Sequence, residues 1–220
     1  MNGRSRVYVW EFPVRFTHWV NVLSILTLSV TGYYIGNPFV HAQYASQYIM
    51  GWMRFIHFVT AYVFTASIVV RLYWAFVGNK YSRWTQLFPL TPARWHELLE
   101  NLKFYLFIRR KPVPTVGHTA LAGAWYFFLF VLPAYEIVSG FALYSVSHTG
   151  SIVWTALGGW LLAVLDLQTI RLWHHLVMYF ILAFVLIHIY IALYLDIAEK
   201  NGLMESIFSG YKFVTREETK

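Results

Sequence analysis

Apolar and polar positions along this chain are segregated into long blocks. Four predominantly apolar stretches, about residues 17–36, 52–77, 120–144 and 173–195, are separated by more polar segments. About 20 apolar residues in a helix cross the hydrocarbon core of a bilayer. The pattern therefore predicts an all-α integral membrane four-helix bundle, forming a single domain over residues 1–220. A fifth apolar run, "SIVWTALGGWLLAVLDL" (151–167), is short, contains Gly158 and Gly159, and ends with Asp166. A crossing there would leave about five residues for reversing direction before the next span, so it reads as an interfacial helix capping the bundle. A second interfacial helix is expected over 91–111. Thr91 is placed to cap it, Pro92 suits its first position, and Pro112 follows the basic run "RRK".

Composition strengthens this reading. The chain is 58% hydrophobic and 12% charged, whereas a soluble domain carries about a quarter charged residues. Its mean hydropathy is +0.50. Aromatic residues at 20%, ten Trp among them, suit rings lying at two lipid interfaces. The net charge of +7 is spread between apolar segments instead of forming one stripe, so it points to membrane orientation and lipid, with no nucleic-acid partner. Of the 17 Lys and Arg, three flank the start of span one (Arg4, Arg6, Arg15) and seven lie in the 78–118 loop (Lys80, Arg83, Arg94, Lys103, Arg109, Arg110, Lys111). Four more follow span four (Lys200, Lys212, Arg216, Lys220), which puts 14 on one side. Both termini and the middle loop are thus expected in the cytoplasm. The first dozen residues hold no long apolar core of a signal peptide, and the segment behind them is too long for one, so it is expected to stay as a span. The chain has no cysteine. That excludes disulfides, thiolate-held iron–sulfur clusters and covalently attached c-type haem.

Nine histidines are present. His41, His96, His118 and His148 fall in loops and read as solvated or interfacial. The other five, His18, His57, His174, His175 and His188, fall in the spans, where imidazole facing lipid is unfavourable. His174 and His188 are 14 residues apart, about 40° short of four full helical turns, so they share a face; their offset along the axis is about 21 Å. His175 lies nearly opposite His188. Depth then pairs residues from different helices: His57 with His174 near the outer side, and His18 with His188 near the inner side. Two imidazoles without a thiolate or carboxylate at the same level make a poor closed site for zinc or copper. They fill both axial positions of a haem iron, which favours electron transfer over oxygen chemistry. Two non-covalent b-type haems are the expected cofactors.

Neighbouring residues extend this picture. Gly32, 14 residues after His18, shares its face at the outer level, and Gly140 in span three sits at a similar depth. Either leaves room for a flat macrocycle or for a close helix contact. Arg71 shares a face with His57 at the inner level, while Arg54 and Arg171 flank the outer pair; with Arg15 they are candidate partners for haem propionates. "LSVTGYYIG" and "EIVSGFALY" form a weak internal echo, each with Ser/Thr-Gly-aromatic near an outer end. Glu136, in span three beyond Pro133, is a membrane carboxylate without an evident partner.

The segments "EFPVRFTHW", "TGYYIGNP", "RFIHF", "RLYWAFVGNKYSR", "SGFALYS" and "HIYIALYLDI" resemble the b-type cytochrome subunit of membrane-bound nickel–iron hydrogenases, over residues 7 to 212. The resemblance implies a dihaem cytochrome b of the bacterial inner membrane with His18, His57, His174 and His188 as haem ligands. It also implies docking to the iron–sulfur small subunit of a periplasmic hydrogenase, and through it to the large subunit, with menaquinone or ubiquinone as electron acceptor. No hydrogen-activating site is expected on this chain. The rival readings are the cytochrome b subunit of a formate dehydrogenase-like complex and a non-redox transporter using membrane histidines. The transporter predicts no chromophore.

Overall fold

The computed structural model describes residues 4–86, 91–110, 116–117 and 119–215. The expected contributions of Lys111, Pro112, His118, Arg216 and Lys220 lie outside the described residues. Along the chain, strand β1 (Arg4–Tyr8) precedes helices α1 (Phe12–Gly36), α2 (Ile49–Val77), α3 (Pro92–Tyr105), α4 (Ala120–Ser145), α5 (Ile152–Leu157), α6 (Leu167–Glu199) and α7 (Leu203–Ser209), and strand β2 (Tyr211–Thr215) follows. Helices α1, α2 and α6 are long and apolar enough to cross a membrane; in α4 the apolar stretch Phe130–Ser145 is shorter among the described residues. Their large apolar side chains are widely exposed, as at Leu186 and Tyr190 (both 70%). Such surface suits lipid and would be untenable in water.

The described residues fall into two compact units, one drawn from segments 1–18, 69–130 and 185–220, the other from 19–68 and 131–184. The first unit holds an element absent from the all-α expectation. β1 and β2 pair antiparallel, Arg4 opposite Thr215 through Tyr8 opposite Tyr211. Tyr8 packs on Tyr211 with ring centres 5.0 Å apart, and the Arg6 guanidinium lies 3.9 Å above the Tyr211 ring. Gly210, at φ 89°, turns the chain into β2, and its carbonyl accepts from the N–H groups of Val9 and Trp10. A Cβ there would sit 2.7 Å from the Trp10 carbonyl oxygen, so glycine is required. Trp10 Nε1 donates to Ser206 Oγ at 3.0 Å. Val9, Trp10 and Val14 form a buried cluster with Trp74, Tyr81 and Val116 around it.

Beside that cluster, Glu11 Oε2 accepts from Trp74 Nε1 (2.9 Å), Asn79 N (2.7 Å) and Ser82 Oγ (3.1 Å). Burial pushes the Glu11 carboxyl up, but the Asn79 N–H, Trp74, Ser82 and the nearby Arg83 charge outweigh it, and the net shift is downward. Helix α3 begins as expected: Arg94 N donates to Thr91 Oγ1 at 3.3 Å. It stops at Tyr105, short of the expected 111, and a left-handed residue, Phe107 at φ 61°, follows.

In the second unit, the 151–167 segment is not one interfacial helix. Gly158 breaks it into α5 and a 3-10 turn, Gly159–Ala163. A Cβ on Gly158 would lie 2.4 Å from the Val138 carbonyl oxygen and 2.6 Å from Ala142 N, so the two backbones touch there. Ala142, Leu161 and Ile170 form the buried cluster beneath. Helix α6 starts at Leu167 rather than 173. Asp166 explains this, since Oδ1 accepts from Gln168 N (3.0 Å) and Thr169 N (2.9 Å), the hydrogen bonds an N-cap supplies. The Thr169 hydroxyl and backbone N–H lower the Asp166 carboxyl.

Candidate haem-binding sites

Four span histidines fall two to a unit, His18 and His188 in the first and His57 and His174 in the second. In the first unit, His18 on α1 and His188 on α6 stand with ring centres 6.5 Å apart and planes inclined at 54°. Metal–nitrogen bonds of about 2 Å would set two imidazole nitrogens on one metal ion at most roughly 4 Å apart, with each ring centre farther out. A 6.5 Å separation of centres fits one iron between the rings. Arg71, 9% exposed, belongs to this unit, and its Nη1 lies 3.5 Å from the Ser82 carbonyl oxygen. Arg15 donates to the Phe208 carbonyl.

In the second unit, His57 lies on α2 and His174 and His175 lie on α6. His57 Nδ1 is 2.9 Å from Thr31 Oγ1 on α1, and His174 Nδ1 is 2.8 Å from Ser139 Oγ on α4. The direction of these bonds follows from proton counting. Each hydroxyl has one proton, and each directs it to the carbonyl four residues back: Thr31 to Thr27 at 2.7 Å, Ser139 to Tyr135 at 2.6 Å. Towards its histidine, each hydroxyl must then accept. Nδ1 carries the proton in both rings, and Nε2 keeps the lone pair a metal needs.

The residue after each hydroxyl is the glycine singled out in the sequence. A Cβ on Gly32 would lie 3.2 Å from His57 Cε1, and one on Gly140 would lie 3.5 Å from His174 Cε1. The Thr-Gly and Ser-Gly echo is thus a repeated imidazole seat, with a hydroxyl that orients the ring and a missing side chain that admits its edge. Arg54 and Arg171 are exposed residues of the same unit.

Two further residues gain partners. Glu136 Oε2 is 2.9 Å from His174 Nδ1, a contact the sequence does not reveal because it joins α4 to α6. His175 Nδ1 is 2.9 Å from its own helix's Arg171 carbonyl, whose oxygen can only accept. Its Nε2 points at Gly36, where a Cβ would come within 2.4 Å. Among the loop histidines, His148 stacks on Tyr144 with centres 4.2 Å apart. No group of three or more His, Cys, Asp or Glu able to hold a metal ion occurs among the described residues. The donor sets here are paired imidazoles, and these fit haem, whose porphyrin supplies the other four nitrogens.

Comparison with known proteins agrees with this chemistry. Residues 9–210 match the prokaryotic cytochrome b561 family. The chain is 40% identical over 222 residues to a probable Ni/Fe-hydrogenase B-type cytochrome subunit of Rhizobium leguminosarum bv. viciae, covering 98% of this chain and 92% of that one. It is 42% identical over 216 residues to the protein of the same description from Bradyrhizobium diazoefficiens, covering 94% and 86%. It is 36% identical over 219 residues to the probable Ni/Fe-hydrogenase 1 B-type cytochrome subunit of Escherichia coli K12, covering 93% and 90%. With paired membrane histidines on apolar helices and a match over nearly its whole length, the chain belongs to the prokaryotic cytochrome b561 family.

Proposed function

We propose that this chain is the b-type cytochrome subunit of a nickel–iron hydrogenase, embedded in the bacterial inner membrane by four spans with both termini in the cytoplasm. It would anchor the hydrogenase on the periplasmic side and deliver its electrons to menaquinone or ubiquinone. The relatives' descriptions support the hydrogenase over a formate dehydrogenase partner, and the one-sided Lys and Arg distribution supports the orientation.

The observation that carries the proposal is the paired imidazoles, with His18 facing His188 and His57 and His174 each oriented through Nδ1 by a hydroxyl. Held by these pairs, two b-type haems would supply one-electron transfer between the hydrogenase and quinone. The chain's own contribution is to hold and shield. His57 with His174 and His18 with His188 would hold the two haems, Thr31 and Ser139 fix two tautomers, and Gly32 and Gly140 admit the rings. Arg71 in the first unit and Arg54 and Arg171 in the second are placed to meet propionates. With no cysteine, the chain cannot hold a thiolate-bound nickel centre or iron–sulfur cluster.

The test is hydrogen-dependent quinone reduction in membranes. It should vanish in His57→Ala and His174→Ala strains while hydrogen oxidation with an artificial acceptor persists. Copurification of the chain with a molybdenum enzyme in place of a nickel one would overturn the partner assignment.

A further inference from the structure

We propose that Glu136 is a positioning residue for His174, and that its carboxylate lowers the reduction potential of the iron site His174 helps to form. The inference rests on His174 being an axial haem ligand and goes beyond that reading.

Glu136, Ser139 and Gly140 stand at i, i+3 and i+4 of α4, on the face that meets His174. Ser139 accepts from Nδ1, since its own proton goes to Tyr135. Glu136 Oε2 lies 2.9 Å from the same Nδ1, an ion-pair distance, with the two side chains only 14% and 17% exposed. The nitrogen that carries the ring proton of His174 thus has a hydroxyl and a carboxylate oxygen both within 3 Å. A carboxylate accepting this proton makes the opposite nitrogen a stronger donor, and a stronger donor favours the ferric over the ferrous iron. At His57, the side-chain acceptor given by the structure is the Thr31 hydroxyl, which carries no charge.

Stability does not explain the carboxylate. Glu136 Oε1 is buried and makes no hydrogen bond among the described residues. An acidic residue with one oxygen so placed in a membrane helix is costly, and such residues mark functional sites. A low potential where electrons enter from the outer side favours their onward transfer toward the negative side of the membrane.

The experiment is a redox titration of the b-type α bands of the purified full chain, with haem counted in parallel. Glu136→Gln should retain both haems and move one midpoint upward while the other stays. Retention of both haems with both midpoints unchanged would overturn the inference, and so would outright loss of one haem, which would make Glu136 structural. If Glu136→Gln fails to accumulate, Glu136→Asp withdraws the charge from Nδ1, with a smaller upward shift expected and no shift overturning the inference. His174→Ala separates the two readings. Loss of one haem there supports the ligand assignment on which the inference stands, and retention of both removes the assignment and the inference together.

Discussion

At Thr31 and Ser139, the fate of one hydroxyl proton decides which nitrogen of a neighbouring imidazole is left for a metal. Thr31→Val keeps the shape and removes the acceptor facing His57 Nδ1. Loss of such an outer hydrogen bond typically weakens metal-site affinity about 10- to 100-fold, and haem titration of the purified apo-chain should show a drop of that order at one site. Gly36 offers a second residue-scale test. Gly36→Ala places a Cβ 2.4 Å from His175 Nε2 and forces that ring aside. With His174 as the ligand, haem content should stay the same; loss of a haem would transfer the ligand role to His175. The sequence displays the histidines and the repeated hydroxyl–glycine pairs, because helical period and composition are local. It does not display which ring each pair serves. Thr31 meets His57 and Ser139 meets His174 across separate helices, as does Glu136, whose spacing from His174 carries no periodic signal.

Among the elements, the long helices are legible in the sequence and their ends are not. Bilayer length locates α1, α2, α4 and α6 to within several residues, but α6 begins where Asp166 caps it, a polar signal that counting apolar residues ignores. The 151–167 segment reads as one helix because Gly158 and Gly159 within an apolar run say nothing of what lies beneath them. The structure places Gly158 against the backbone of α4, so close that a methyl group on its Cα would stand 2.4 Å from the Val138 carbonyl oxygen. Gly158→Ala should therefore separate α5 from α4 or strain both. An overpacking cost of about 1–3 kcal/mol is expected, visible as a lower Tm in detergent with haem spectra unchanged. A Tm equal to that of the parent chain would show that the contact yields freely.

On the scale of the whole molecule, the β1–β2 sheet joins the two ends of the chain, and neither five-residue strand announces itself without the other. Strand pairing between termini is a tertiary event, so the all-helical expectation has no local reason to include it. Glu11 ties the same unit together through Trp74, Asn79 and Ser82. Its carboxyl titrates below the ordinary 4.5, so the stabilisation it brings is complete above that value and is lost as pH falls through the lowered one. Glu11→Gln should flatten this acid limb in unfolding measurements at a series of pH values. Glu11→Ala, which strands buried donors, should cost about 1–3 kcal/mol at neutral pH. An acid limb unaltered in Glu11→Gln would assign it to other carboxyls. The central claim is that two imidazole pairs, one in each unit, each hold a haem. Pyridine haemochrome quantification of the purified chain tests it most directly. Two haems per wild-type chain are predicted, with one left in His188→Ala and one in His57→Ala, each lacking a different component of the α band. A colourless wild-type chain, or two haems retained in either variant, would contradict it.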